Sequence, residues 1–207
     1  MGLLRSLLRI FFRHLYHRLA PLYDLVAWVV SLGAWQDWGR TALHFVEGPR
    51  VLELGPGPGH LQAALAGAGW SPLGLDESPQ MLGRAARRLR HAGRSSGLAR
   101  GLAQELPFAS ESLDTIVSAF PTDYILDPQT LAEAWRTLRP GGRMVVILWA
   151  SRWETRRLFE LSHQGLTRGA AALPQALARA GFETESRLEH VRNGVVAMVL
   201  ARKPSRL

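Results

Sequence analysis

The chain contains no cysteine. That excludes disulfides, a thiolate nucleophile, Cys-ligated zinc and iron–sulfur clusters, and it leaves the redox compartment open. No metal is expected. Lysine is almost missing as well: Lys203 stands alone among basic residues that are otherwise all arginine. Long apolar runs are absent. The longest, Leu25 to Trp35, is broken by Ser31 and Gly33 and falls well short of the ~20 residues that span a bilayer. Arg5, Arg9, Arg13 and Arg18 are spread through the first twenty residues rather than gathered ahead of an apolar stretch. The layout is therefore not that of a secretory signal, and a cytoplasmic location is expected. Gly 20 and Pro 12 are ordinary usage, so the chain is neither collagen-like nor disordered. Its 207 residues suit one domain with a sizeable core.

Acidic residues are in deficit. Lys+Arg 25 against Asp+Glu 17 leaves a net charge of +8, which favours anionic partners such as nucleic acid or an anionic membrane face. GC-rich coding accounts for arginine in place of lysine, but not for the net excess.

Three zones follow one another. Residues 1–48 read as a basic, aromatic, helical leader and lid, and residues 49–207 as the main domain. Within the latter, 49–150 alternates strand-like and helical runs. Strands are expected at 50–54, 72–76, 98–102, 113–119 and 143–149. Helices are expected at 60–67, 78–91 and 127–138, with Ser78 as an N-cap and Pro79 at the first helical position. Such alternation predicts a parallel sheet with helices on both faces. A helix over 173–180 stops at Gly181. Two strand-like runs, 182–191 and 195–202, then flank Asn193-Gly194, a strong hairpin signal because both positions accept positive φ. The last strand is therefore antiparallel.

The segment Val51-Leu52-Glu53-Leu54-Gly55-Pro56-Gly57-Pro58-Gly59-His60 runs from a strand through a glycine turn into a helix. Glycines let the backbone approach a ligand, and the helix start offers free N–H groups. Asp76 ends the second strand, about 21 residues past Gly55, where a carboxylate can accept ribose hydroxyls. A dinucleotide fits less well. His60 stands where a Gly-x-Gly-x-x-Gly pattern needs its third glycine, and the carboxylate of Glu53 would repel a pyrophosphate. A ligand carrying an ammonium and a sulfonium is favoured instead.

Glu53 to Gly59 resembles the first motif of class I S-adenosylmethionine (SAM)-dependent methyltransferases. Leu73 to Leu82, then Ala103 to Phe108 with Ser112 to Ser118, then Leu138 to Arg143, resemble their later motifs in order. The subgroup resembled is the small-molecule, lipid and quinone type. The resemblance implies an α/β, Rossmann-like, seven-stranded, mostly parallel sheet with an antiparallel C-terminal strand, and SAM as cofactor. It also implies that Glu53 holds the methionine amino group, and that Gly55, Gly57 and Gly59 make room for the methionyl part. Asp76 would bind the ribose, Met81 would pack on adenine, and Ala103 and Gln104 would border its edge. Ser118 and Phe120 would face the methionyl arm and the substrate, and Tyr23 would close over the cofactor. The family often has an acid at the position of Leu102, so this chain departs there.

Methyl transfer from a sulfonium needs alignment and exclusion of water, and a base only where the acceptor must lose a proton. No signature fixes that base; Asp123 and Tyr124 are the candidates. Phe120-Pro121-Thr122-Asp123-Tyr124 lacks the motif of nucleic-acid amino-methyltransferases. The expected acceptor is thus small or lipid-like, with RNA methylation or a non-catalytic SAM-binding module as the alternatives. In the leader, Arg5, Arg9 and Arg13 recur every four residues among Leu and Phe. Residues 1–20 so suit the anionic inner face of a membrane, or else a helix packed over the domain.

Overall fold

The computed structural model describes residues 34–95, 97–152 and 166–205, with backbone alone over 166–171. Tyr23 and the amphipathic stretch 1–20 lie outside the described residues. The elements in chain order are α1 (Trp35–Arg40), a 3-10 turn (Thr41–Phe45), β1 (Val51–Leu54), α2 (His60–Gly67), β2 (Leu73–Asp76), α3 (Pro79–His91) and β3 (Gly97–Arg100). They continue with β4 (Leu113–Ala119), a second 3-10 turn (Asp123–Leu126), α4 (Pro128–Thr137), β5 (Leu138–Ser151), α5 (Leu166–Arg179), β6 (Glu183–Val191) and β7 (Gly194–Arg202).

The seven strands form one sheet in the order β3-β2-β1-β4-β5-β7-β6. β1 pairs in parallel with β2 on one side and β4 on the other, and β7 is antiparallel to both its neighbours. The expected fold class is therefore the observed one. The order reverses at β1/β4, and a doubly wound sheet binds its ligands beyond the carboxyl ends of the strands at that point.

Alternation along the strands explains why helices cover both faces. Leu52, Ile116, Val146 and Val199 point into one core, with Leu131 of α4 and Leu173 and Leu177 of α5. Their strand neighbours Val51, Val117, Val145 and Met198 point into the other, with Trp38 and Ala42 on one side and Leu61 and Leu65 of α2. Successive strand residues face opposite ways, so each doubly covered strand reads as an unbroken apolar run.

Local signals hold where capping chemistry is clear. Ser78 Oγ accepts from the Met81 N–H at 3.3 Å with Pro79 behind it, and Asp127 Oδ1 accepts from the Gln129 N–H at 2.9 Å ahead of α4. Boundaries shift elsewhere. β5 starts at Leu138, five residues before the expected start, because Leu138 already pairs with Leu113 and an irregularity absorbs Pro140-Gly141-Gly142. The last helix begins at Leu166, so Pro174 lies inside it, at the loss of one backbone hydrogen bond. The hairpin forms, but its two-residue turn is Arg192-Asn193, one residue before the expected Asn193-Gly194: Gly194 already pairs with Val191, and of the expected pair only Gly194 has positive φ. A Cβ on Gly194 would stand 2.0 Å from the Ser151 carbonyl oxygen, so β7 can begin there only without a side chain.

Two charged groups serve the frame. Lys203, 8% exposed, donates to the carbonyls of Trp135 and Leu138, both at 2.8 Å, and so caps the end of α4. Asp114, which reads from sequence as the start of a strand, is buried and accepts from the Arg50 backbone and guanidinium and from Arg139. Arg50 holds its carboxyl at about 2. Both arginines are about half exposed, which screens the pairing. Asp114→Asn should therefore cost about 1–2 kcal/mol at neutral pH. The native carboxyl lies below its ordinary value of 3.8, so this contribution is full above about pH 4 and fades as pH falls through about 2. Urea unfolding of both proteins across that range checks it: a difference that persists below about pH 2 would contradict the ion-pair account.

Candidate active site

The candidate site lies where β1 ends, at the point where the strand order reverses. Gly55, Gly57 and Gly59 all adopt positive φ, at 68°, 52° and 83°. Gly59 is required by packing: a Cβ there would meet the Ala85 backbone at 2.7 Å, so the turn lies directly against α3. At Gly57 a Cβ would meet nothing within 4 Å, so that bend faces open space. A turn can thus be crowded on one side and leave room for a ligand on the other.

The two carboxylates expected from sequence are brought to this turn. Asp76 Oδ2 accepts from the Gly57 N–H at 3.1 Å, and Oδ1 accepts from the Ser78 N–H at 2.8 Å. The second-strand acid is therefore tied to the glycine bend. Burial raises its pKa, against the pull of those two N–H groups. Glu53 is 2% exposed, and its Oε2 has no hydrogen-bond partner. Burial pushes its carboxyl up to about 8, the Gln62 amide pulls the other way, and the Asp76 charge adds to the rise. A buried, unpartnered carboxyl oxygen is costly, and a strongly raised pKa in a cleft marks a functional group.

The other predicted residues divide. Tyr124 is brought in: its hydroxyl donates to the Leu54 carbonyl at 3.1 Å and lies 2.8 Å from where a Gly55 Cβ would stand. Asp123, the other candidate base, is exposed at the start of its 3-10 turn. Ser118 is fully buried; its single hydroxyl proton has two acceptors in reach, the Leu54 carbonyl at 3.0 Å and the Tyr124 hydroxyl at 2.8 Å. It sits beneath Tyr124 at the end of β1. Met81 lies on the inner side of α3. At 1% exposed it shares the inner face of α3 with Ala85 and Leu89, as spacing by four dictates. Gln104 donates to Asp127 Oδ2 at 3.0 Å, so its amide is engaged by the α4 cap. Ala103 packs on the core. Leu102, where an acid was looked for, is 48% exposed, beside Gly101, whose N–H donates to the Asp76 carbonyl at 3.2 Å.

One feature could have been found from sequence only in part. Phe120 follows β4 at φ 54°, a conformation that bulky residues rarely accept. Its N–H donates to the Ile147 carbonyl at 2.8 Å, and its ring stacks on Trp35 with centroids 4.1 Å apart. Both aromatics stand out in the sequence, but nothing local predicts the strained backbone that joins them.

Residues 51–142 match the family model of a methyltransferase domain. A demethylmenaquinone methyltransferase of Symbiobacterium thermophilum is 31% identical over 144 residues, covering 65% of this chain and 57% of the relative. The enzyme of the same name from Thermus thermophilus is 33% identical over 139 residues, covering 64% and 63%. The chain thus spans about three-fifths of the length of these relatives. Solved structures share the fold. A SAM-dependent methyltransferase of Thermotoga maritima superposes with TM-score 0.62 at 19% identity, covering 92% of this chain and 99% of that one. One of Methanosarcina mazei gives 0.59 at 18%, covering 79% and 97%. The glycine turn and both carboxylates lie within residues 51–142, the stretch that matches a methyltransferase domain, and the sheet has the fold of solved SAM-dependent methyltransferases.

Proposed function

We propose that this protein moves a methyl group from SAM to a small, lipid-like acceptor of the quinone kind. The observation that carries the reading is the Glu53 carboxyl, buried and with one oxygen unpartnered beside an open glycine bend. An ammonium group is the partner such an oxygen lacks. The residues present fit the cofactor on that ground: Glu53 would hold its amino group, Asp76 its ribose hydroxyls, and Gly55 and Gly57 its methionyl chain. Asp76 can serve without leaving the turn, since each carboxylate oxygen has a second lone pair beyond the N–H it accepts.

SAM, when bound, supplies an electrophilic methyl group on a sulfonium. What the chain itself adds is placement. Tyr124, braced by Ser118, sets a hydroxyl over the end of β1, where it can orient an acceptor oxygen. Phe120 and Trp35 give that side of the site an aromatic wall, suited to a flat apolar ring. A residue strained by about 1–3 kcal/mol is retained where it places a group for function. The acceptor class is supported by relatives named as demethylmenaquinone methyltransferases.

The test is transfer of labelled methyl from SAM into a bacterial extract, followed by fractionation. Label is expected in the organic-soluble quinone fraction. Label in RNA would overturn the acceptor class. Cofactor binding with no label in any fraction would leave a binding module without transfer chemistry.

A further inference from the structure

From Ser78 to Gln104 the sequence holds six arginines, at 84, 87, 88, 90, 94 and 100, with His91, and not one acid. Helix α3 explains part of the pattern. Met81, Ala85 and Leu89 take its inner face, so the arginines fall on the outer arc. The structure then extends this arc beyond one helix. A hollow of about 450 Å³ is lined by Arg84, Arg87, Arg88 and His91. A second, of about 500 Å³, is lined by Arg88 together with His60 of α2 and Arg40 of α1. Arg88 belongs to both, so the basic surface is continuous across three helices. Among the described residues, Asp37, paired with Arg40 at 3.4 Å, is an acid at its border. Arg88 also donates to the carbonyl of Pro58 in the glycine turn, so this face adjoins the site.

We propose that this face docks the protein on an anionic phospholipid bilayer. The proposal rests on the lipid-like acceptor above, which must be drawn from such a bilayer. Charge complementarity chooses the partner's sign: guanidinium forks match phosphate oxygens, and basic residues near an anionic leaflet add attraction one by one. Aromatic content chooses the partner's class. Between residues 71 and 107 there is no Phe, Trp or Tyr, so the α3 part of the face, which carries most of its arginines, offers no platform on which the bases of a single strand could stack.

The full chain should sediment with phosphatidylcholine vesicles that contain phosphatidylglycerol, not with phosphatidylcholine alone, and less so as salt rises. Arg87, Arg90 and Arg94 are exposed and outside the cofactor machinery. The triple substitution R87Q/R90Q/R94Q should weaken binding about 100-fold, at roughly fivefold for each charge. Its affinity for S-adenosylhomocysteine should match that of the parent. Equal binding by parent and variant would overturn the proposal and move the contact elsewhere on the chain. So would equal binding to neutral vesicles, or retention of a structureless RNA at near-physiological salt without vesicle binding. If the parent binds anionic vesicles but no cofactor, it is the methyltransferase reading that fails, and the docking face stands.

Discussion

Asp76→Ala should lower the affinity for SAM and for S-adenosylhomocysteine by at least about 100-fold. Two ribose hydroxyls donating to one carboxylate make two charge-assisted bonds, each worth roughly ten- to a hundredfold when its acceptor is removed. The side chain also accepts from the N–H groups of Gly57 and Ser78, so the alanine loosens the turn and the start of α3. Asp76→Asn separates these effects. Its carbonyl can keep one of the N–H bonds while the charge is lost, so it should fold as the parent does and still bind weakly. Calorimetric titration measures the affinity. Thermal unfolding with and without ligand gives a second readout, because a bound ligand stabilises the native state in proportion to its affinity. Parent-like affinity in Asp76→Ala would remove the ribose from this carboxylate and, with it, the proposed placement of the cofactor.

Much of the frame behind that prediction was legible in the residues, for a physical reason. Capping and turn chemistry is local: Ser78 with Pro79, and Asp127 with Pro128, place helix starts, and Asn193-Gly194 places the hairpin to within one residue. Strand–helix alternation with continuous apolar strands then leaves a doubly covered parallel sheet as the economical packing. What could not be read is what depends on distant partners. Asp114 looks like any residue at the start of a strand until Arg50 and Arg139 converge on it from two other segments. Lys203 gains its role from two carbonyls some 65 residues away.

The site divides along the same line. Glu53, Gly55, Gly57 and Asp76 carry their message in sequence because a glycine turn between strand and helix leaves them few other arrangements. For Ser118 and Met81, motif position says nothing about which way the side chain points. Register with β1 turns Ser118 toward Leu54 and Tyr124, and the inner stripe of α3 takes Met81. Between Asp123 and Tyr124, neighbours in sequence, only the turn at 123–126 decides which hydroxyl or carboxylate enters the site.

Cofactor affinity should rise with pH, by close to tenfold per unit, up to about pH 8. Glu53 titrates at about 8 because burial disfavours its charge, so at neutral pH the apo protein holds it mostly as the neutral acid. An ammonium group needs the carboxylate. Binding must therefore expel the proton, and titration in buffers of different ionisation enthalpy should show nearly one proton released per cofactor near pH 7. Stability runs the opposite way. The folded carboxyl lies above its ordinary value of 4.5, so the folded state binds the extra proton. The apo protein is then fully stabilised by this group below about pH 4.5 and loses that contribution as pH rises through about 8. Glu53→Gln keeps the shape without the titration. Without ligand it should unfold at higher temperature than the parent at alkaline pH, by an amount that vanishes in acid, while binding cofactor at least about 100-fold more weakly above pH 8. A variant that gains alkaline stability yet keeps full affinity would separate Glu53 from the ammonium. A pH-independent affinity with no proton release would do the same, and would leave the unpartnered oxygen without a ligand to explain it.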